Sequence, residues 1–131
     1  MIAAPMRALF ASKTAITAVL GSTPLRLYAN ALPQNPILPA CYFREVSTVP
    51  TNEFSGASTF DYLSVDFFLI TQSKADSESV GDTIRSQIEN TSGTFSGIVI
   101  NHILFIGDNS DYITDLKIYT RRIEFQFNVR R

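Results

Sequence analysis

The stretch 59–90 constrains the fold more than any other part of the chain. It reads TFDYLSVDFFLITQ and then SKADSESVGDTIRSQIEN, an alternation of period two that passes without a break into a recurrence of period four. The first is the signature of a strand and the second that of a helix with one apolar side. Leu63, Val65, Phe67 and Leu69 share one side of the strand, which is a core face. Tyr62, Ser64, Asp66, Phe68 and Ile70 share the other, and aromatics mixed with polar groups suit a face that is half solvated or covered by a partner. Ser73, followed three residues later by Asp76, resembles a capping box with Asp in the Glu position, and Asp76 and Glu78 put negative charge near the positive end of the helix dipole. Val80, Ile84 and Ile88 then form a stripe expected to lie on the Leu63, Val65, Phe67 and Leu69 face. Gly81 stands beside that stripe, where a bare backbone can approach the sheet closely.

A chain of 131 residues forms one domain, 1–131, and buries a core without staples. A hydrophobic share of 45% with ten Phe is that of a folded chain rather than a disordered one. No apolar run reaches the length of a membrane span. Arg7 and Lys13 flank apolar residues, but the apolar piece 15–20 is short and holds Thr17, so it reads as a helix and not as a targeting segment. The single cysteine, Cys41, excludes an internal disulfide framework and any multi-cysteine metal site. The net charge of −1 hides an asymmetry: 51–115 is acidic, opposed only by Lys74 and Arg85, while 116–131 carries Lys117, Arg121, Arg122, Arg130 and Arg131 against Glu124. Such blocks are either solvated faces or complementary rims that meet between copies. No module for reading a nucleic-acid sequence accompanies the basic end.

In chain order, 5–20 has helical spacing, with Pro5 in the first turn, Gly21 after the last, and a break expected near 12–14, where Thr14 could cap a second helix. A short extended piece at 25–28 leads into ANALPQNPILP, whose three prolines impose a loop. A strand follows at 40–48, then a polar hairpin loop at 51–58. After the helix, Gly93 is placed to stop it, 95–106 forms one long apolar strand, and GDNSD at 107–111 is a turn. The last strand, 116–129, changes phase between Leu116 with Ile118 and Ile123 with Phe125, which a bulge at 120–122 would reconcile. The fold class is α+β: an antiparallel sheet with helices packed on one face, one N-terminal and one central.

Residues able to do chemistry are few. His102 lies in phase with Ile98, Ile100, Leu104 and Ile106 and reads as a satisfied structural histidine rather than a base or ligand. Asp108 and Asp111 read as turn-formers, and Cys41 as a small buried hydrophobe. Asp66 on the wetter strand face is solvated or paired with an arginine. No glycine-rich loop follows a strand as phosphate binding requires. The residues supply no catalytic constellation, no metal site and no cofactor site.

The ordered set LYANALPQNPILPACYFREVS, YLSVDFFLITQSKADSESVGDTIRSQI and the closing IEFQFNV resembles the tail-completion proteins of long-tailed bacteriophages, which include tail terminators and tail-to-head joining proteins. Gly21 after the first helix, Tyr28, Pro33 with Gln34, Asp66 in the long strand, the helix 73–88 and the Phe- and Arg-rich strand 122–129 carry it, over nearly the whole chain. The resemblance implies a structural virion protein and no enzyme. Such a protein forms a ring, usually hexameric, that caps the tail tube, joins it to the head connector and lets DNA pass without sequence preference. It would be assembled in the host cytoplasm, would sit at the head-tail interface and would meet no membrane. The face of Tyr62, Ser64, Asp66, Phe68 and Ile70 is then expected at a subunit contact or on the lumen, unless the N-terminal helix covers it. Two other classes stay open: a small α+β ligand-binding or regulatory module, and a small enzyme using His102 with Asp66 or Cys41.

Overall fold

Phe67 is the point on which the layers meet. In the computed structural model, which describes residues 3–22, 24–53 and 56–130, with backbone alone at 49–53 and 56–59, its ring stacks on Phe10 at 5.0 Å. Phe43, Phe125 and Phe127 lie around it at 6.0, 5.8 and 6.3 Å. Each such ring contributes roughly 1.5–3 kcal/mol by leaving water. The elements run α1 (Ala3–Ala11), α2 (Thr14–Leu20), β1 (Leu27–Ala29), β2 (Ala40–Glu53), β3 (Gly56–Thr71), α3 (Lys74–Ile88), β4 (Gly93–Phe95), β5 (Ile98–Ile113) and β6 (Ile118–Arg130). They form one sheet in the order β1-β2-β3-β6-β5-β4.

The strand-to-helix unit forms as its sequence dictates. Leu63, Val65, Phe67 and Leu69 are buried, and Val80, Ile84 and Ile88 join the same cluster, together with Met6, Leu9, Phe10, Ile16 and Leu20 of the first two helices. The Ser73 hydroxyl accepts from the Asp76 amide at 3.1 Å, satisfying one of the free donors of the first turn. The break between α1 and α2 falls at Ser12 and Lys13; Lys13 precedes α2 without a side-chain cap, and Thr14 is its first residue rather than its cap. Gly21 ends α2 at φ 83°, a left-handed backbone that glycine adopts without strain.

Several boundaries differ from the sequence reading, each for a local reason. The sheet is mixed: β1 pairs with β2 in parallel and all other pairs are antiparallel. The proline-rich loop 30–39 carries the chain back along the strand, a return that a tight turn cannot make. The polar 51–58 stretch is drawn into strands, with Asn52 opposite Ala57 and Glu53 opposite Gly56, and its tip, 54–55, lies outside the described residues. Asn90, at φ 62°, takes the left-handed position after the helix, so Gly93 opens β4 instead. The apolar run 95–106 is cut by a tight turn at Ser96 and Gly97, with φ 49° and 83°, the double left-handed geometry of a two-residue hairpin. GDNSD stays inside β5, because its backbone pairs with β6 as far as Ile113 opposite Ile118.

The phase change expected within β6 sits elsewhere. β6 pairs with β3 residue for residue from Phe60 opposite Arg130 to Thr71 opposite Tyr119. Leu116 belongs to the turn before it and is 66% exposed. The register shifts lie in β5, between Ile100 and His102 and between Phe105 and Gly107. The first of them turns Ile100 and Ile103 inward and leaves His102 exposed, although it continues the apolar periodicity of Ile98 and Ile100.

One polar group is built into the helix-bearing side. Arg121 on β6 lies beneath α3, donating to the carbonyls of Ser77 and Glu78 and to the carboxylates of Asp82 and Asp108 at 2.6–3.3 Å. Burial alone would lower its pKa, but the hydrogen bonds and charges of Asp108 and Asp82 outweigh that and hold it above the usual arginine value. Gly81 makes room for it: a Cβ there would stand 2.3 Å from Arg121 Nη1. Gly81→Ala is therefore expected to cost about 1–3 kcal/mol by evicting the guanidinium. In an Arg121→Ala background the same change becomes neutral or stabilising, by up to about 1 kcal/mol of helix propensity. Urea unfolding of the four proteins reads the sign reversal.

Candidate functional site on the outer face of the sheet

Since all three helices bury their apolar residues in the cluster built on the Phe67 side, the N-terminal helix does not cover the opposite face. That outer face is centred on β3. Tyr62 faces Asn128 of β6, Ser64 faces Ser47 and Gln126, Asp66 faces Arg44 and Glu124, Phe68 faces Tyr42 and Arg122, and Ile70 faces Ala40 and Thr120. The five residues thus form one row, and they differ in accessibility. Tyr62 is exposed, Ser64 and Phe68 are half-buried, and Asp66 and Ile70 are buried at 5% and 6%.

The row is closed over by its neighbours. Phe68 stacks on Tyr42 with centroids 4.8 Å apart and planes within 11°, and the Arg44 guanidinium lies over the Phe68 ring at 5.4 Å. Arg122 donates from Nη1 to Asp66 Oδ2 at 3.2 Å, so Asp66 takes the arginine partner that an acid in this position calls for. Asp66 Oδ1 is buried and has no hydrogen-bond partner among the described residues. Two arginines of the basic C-terminal block are thereby spent inside the chain, Arg121 on Asp82 and Asp108 and Arg122 on Asp66. Arg130 and Lys117 remain at opposite ends of β6.

Tyr42 and Arg44 lie outside the row that alternation along β3 marks, and the pairing of Arg122 with Asp66 joins residues 56 positions apart, which no local spacing signals. Leu104 and Ile106 are 45% and 47% exposed, and the shifts in β5 that expose them leave no mark in its apolar run.

The residues proposed for catalysis do not meet. His102 is level with Asn128 and through it with Tyr62, so Asp66 lies two strands over and four residues along, roughly 15 Å away at ordinary strand spacing and rise. Cys41 is fully buried on the inner side of β2, three strands from β5 and on the opposite face. Its burial pushes the thiol pKa well above the usual range. No group of three or more potential metal ligands occurs among the described residues. A depression of about 590 Å³, open to solvent, lies between α1 and the segment before β1 and is lined by Arg7, Ala8, Ala11, Ser22, Pro24 and Leu25. No helix among the described residues is long and apolar enough to cross a membrane.

Comparison with known proteins agrees on the fold. No protein-family model matches the chain, and no curated protein matches it. Among solved structures, a chain of the virion of a native gene transfer agent particle is similar over 94% of this chain and 90% of its own, with a TM-score of 0.70 and 12% identity. A second chain, whose name states no function, is similar over 96% and 94%, with a TM-score of 0.58 and 14% identity. At such identities the likeness shows the fold alone.

The outer face and the buried thiol beneath it each lead to an expected outcome. Arg122→Ala is expected to cost about 1–3 kcal/mol because it strands a buried carboxylate, and clearly less in an Asp66→Asn background; a double-mutant cycle by chemical unfolding measures the difference. Cys41 is expected to react with a thiol reagent on the order of a hundredfold more slowly in the native protein than after unfolding, followed by absorbance in native buffer and in denaturant.

Proposed function

We propose that this chain is a structural protein of a phage-like virion, and within that class a tail terminator or tail-to-head joining protein. The observation that carries the reading is the fold shared with a chain of a gene transfer agent virion across nearly the full length of both. The resemblance of 27–47, 62–88 and 123–129 to tail-completion proteins points the same way, as does the dispersal of His102, Asp66 and Cys41 over separate strands and faces.

In this role the protein forms a ring, usually hexameric, that caps the tail tube and meets the head connector, with DNA passing through without sequence recognition. It belongs to the head-tail interface of the virion and is assembled in the host cytoplasm. A ring needs two different complementary surfaces on each copy. The outer face, with Tyr62, Ser64, Asp66, Phe68 and Ile70, contributes to the subunit contact or lines the lumen. Tyr62 and the rim of Phe68 are the members a neighbour reaches, while Asp66 and Ile70 support them from beneath.

Native mass spectrometry and negative-stain microscopy, on the protein alone and mixed with the tube protein of the same virion, are expected to show closed rings of defined copy number. Tyr62→Glu is expected to weaken assembly roughly tenfold or more with the fold intact. Monomers at every concentration, with the tube protein present, would refute the reading.

A further inference from the structure

The sheet ends on both sides in strands that are only partly covered. At one side β1 pairs with Leu27 opposite Cys41 through Ala29 opposite Phe43 and goes no further along β2. A backbone bond from Asn30 to the Phe43 carbonyl closes that ladder, and among the described residues no strand pairs with the far side of 44–53. At the other side β4 pairs only with Ile98, Val99 and Ile100 of β5. Beyond them, a bond from the Asn90 amide to the Ile103 carbonyl is the one backbone contact from outside the sheet to 101–113 among the described residues. Unpaired strand edges are templates for another strand, and proteins that keep them free blunt them with charge, proline or bulges. Both stretches carry part of that set: Arg44, Glu45, Pro50 and Glu53 with register shifts at 45–47 and 50–52 on β2, and Asp108 and Asp111 with a shift at 105–107 on β5. Neither contains a lysine, however, and the backbone between the shifts is free to pair.

The same two stretches hold most of the large apolar side chains left in water. Val46 on β2 and Leu104, Ile106, Tyr112 and Ile113 on β5 are 37–56% exposed. Exposed apolar residues scattered singly mean little, but gathered on open backbone edges they mark a surface made to be covered.

We infer that 101–113 of one copy pairs with 44–53 of the next, joining the sheets of neighbouring copies edge to edge. This rests on the ring reading above and supplies its interface. The occupant is a second copy because the chain carries both halves of the contact. β2, β3, β6 and β5 are joined by successive antiparallel pairings, so β2 and β5 run in opposite directions within one sheet. A neighbour in the same orientation therefore presents its β2 antiparallel to β5. β4 at one end and the neighbour's β1 at the other bracket the new ladder, which sets a stagger between copies of the kind that closed sheets require. The contact joins two different surfaces, so it propagates around a ring instead of closing as a two-fold dimer. The outer faces then become one continuous wall.

The test uses one charged substitution per edge on the full chain, Val46→Lys on β2 and Ile106→Lys on β5. Both side chains are exposed, so thermal unfolding by circular dichroism is expected to stay within a few degrees of wild type. Sedimentation velocity and native mass spectrometry are expected to show each variant needing at least tenfold more protein to assemble. An equimolar mixture of the two retains one intact pair of edges and is expected to give discrete heterodimers that do not grow into rings. Rings from either variant at wild-type concentrations would overturn the edge pairing and leave the ring reading standing. Dimers of Val46→Lys alone would overturn it in favour of β5 meeting β5 about a two-fold. Wild-type protein that stays monomeric with the tube protein present would overturn both.

Discussion

The burial of one face of β3 is the constraint on which the rest of the structure depends. Phe67 touches the ring systems of α1, β2 and β6 at once, and Val80, Ile84 and Ile88 bring α3 onto the same cluster. Because all three helices are drawn to that side, none is left for the other. A strand that is apolar on one face and mixed on the other thereby produces a two-layer domain with a bare sheet surface. That asymmetry lies at the level of packing, and the proposed function uses it: a lone copy of this domain leaves a sheet face and two sheet edges for something else to meet.

The buried charges serve the same division. Arg121 fills the space that Gly81 leaves under α3 and satisfies carbonyls of that helix along with Asp108, so the helix is held to the sheet by directional bonds as well as by apolar contact. On the outer face, Arg122 answers Asp66, and the Tyr42 and Phe68 stack closes beside them. Both arrangements withdraw arginines from the basic C-terminal block into the chain. Of the basic residues that read in the sequence as a charged rim, Arg121 and Arg122 are answered within the chain. A ring contact for this protein is therefore better built from backbone edges and exposed apolar side chains than from charge blocks alone.

Legibility followed the range of the interactions involved. The capped start of α3, its apolar stripe and the inner row of β3 rest on neighbours a few residues apart, and they were readable as written. The extent of β5 was not, because it depends on register with β6: the shift in pairing between Ile100 and His102 sends His102 and Leu104 outward although they continue the periodicity of Ile98 and Ile100. The supposed turn at 107–111 is strand for the same reason, its backbone held by a partner from a distant part of the chain. The parallel placement of β1 likewise depends on where a proline-rich loop returns the chain, which the prolines alone leave open.

For the candidate face, the sequence alone determined which residues of β3 share it, since alternation leaves no other choice for Tyr62, Ser64, Asp66, Phe68 and Ile70. It also determined that no cysteine pair or dense ligand motif could carry chemistry. Only the tertiary structure decided that this face stays uncovered by helices, and that Asp66 and Ile70 are sealed by Arg122 and their cross-strand neighbours while Tyr62 remains accessible. It alone left β2 and β5 with open edges. The reason is that exposure and pairing are properties of what lies beside a residue in space, and for every strand of this sheet except the hairpin partners that neighbour comes from elsewhere in the chain.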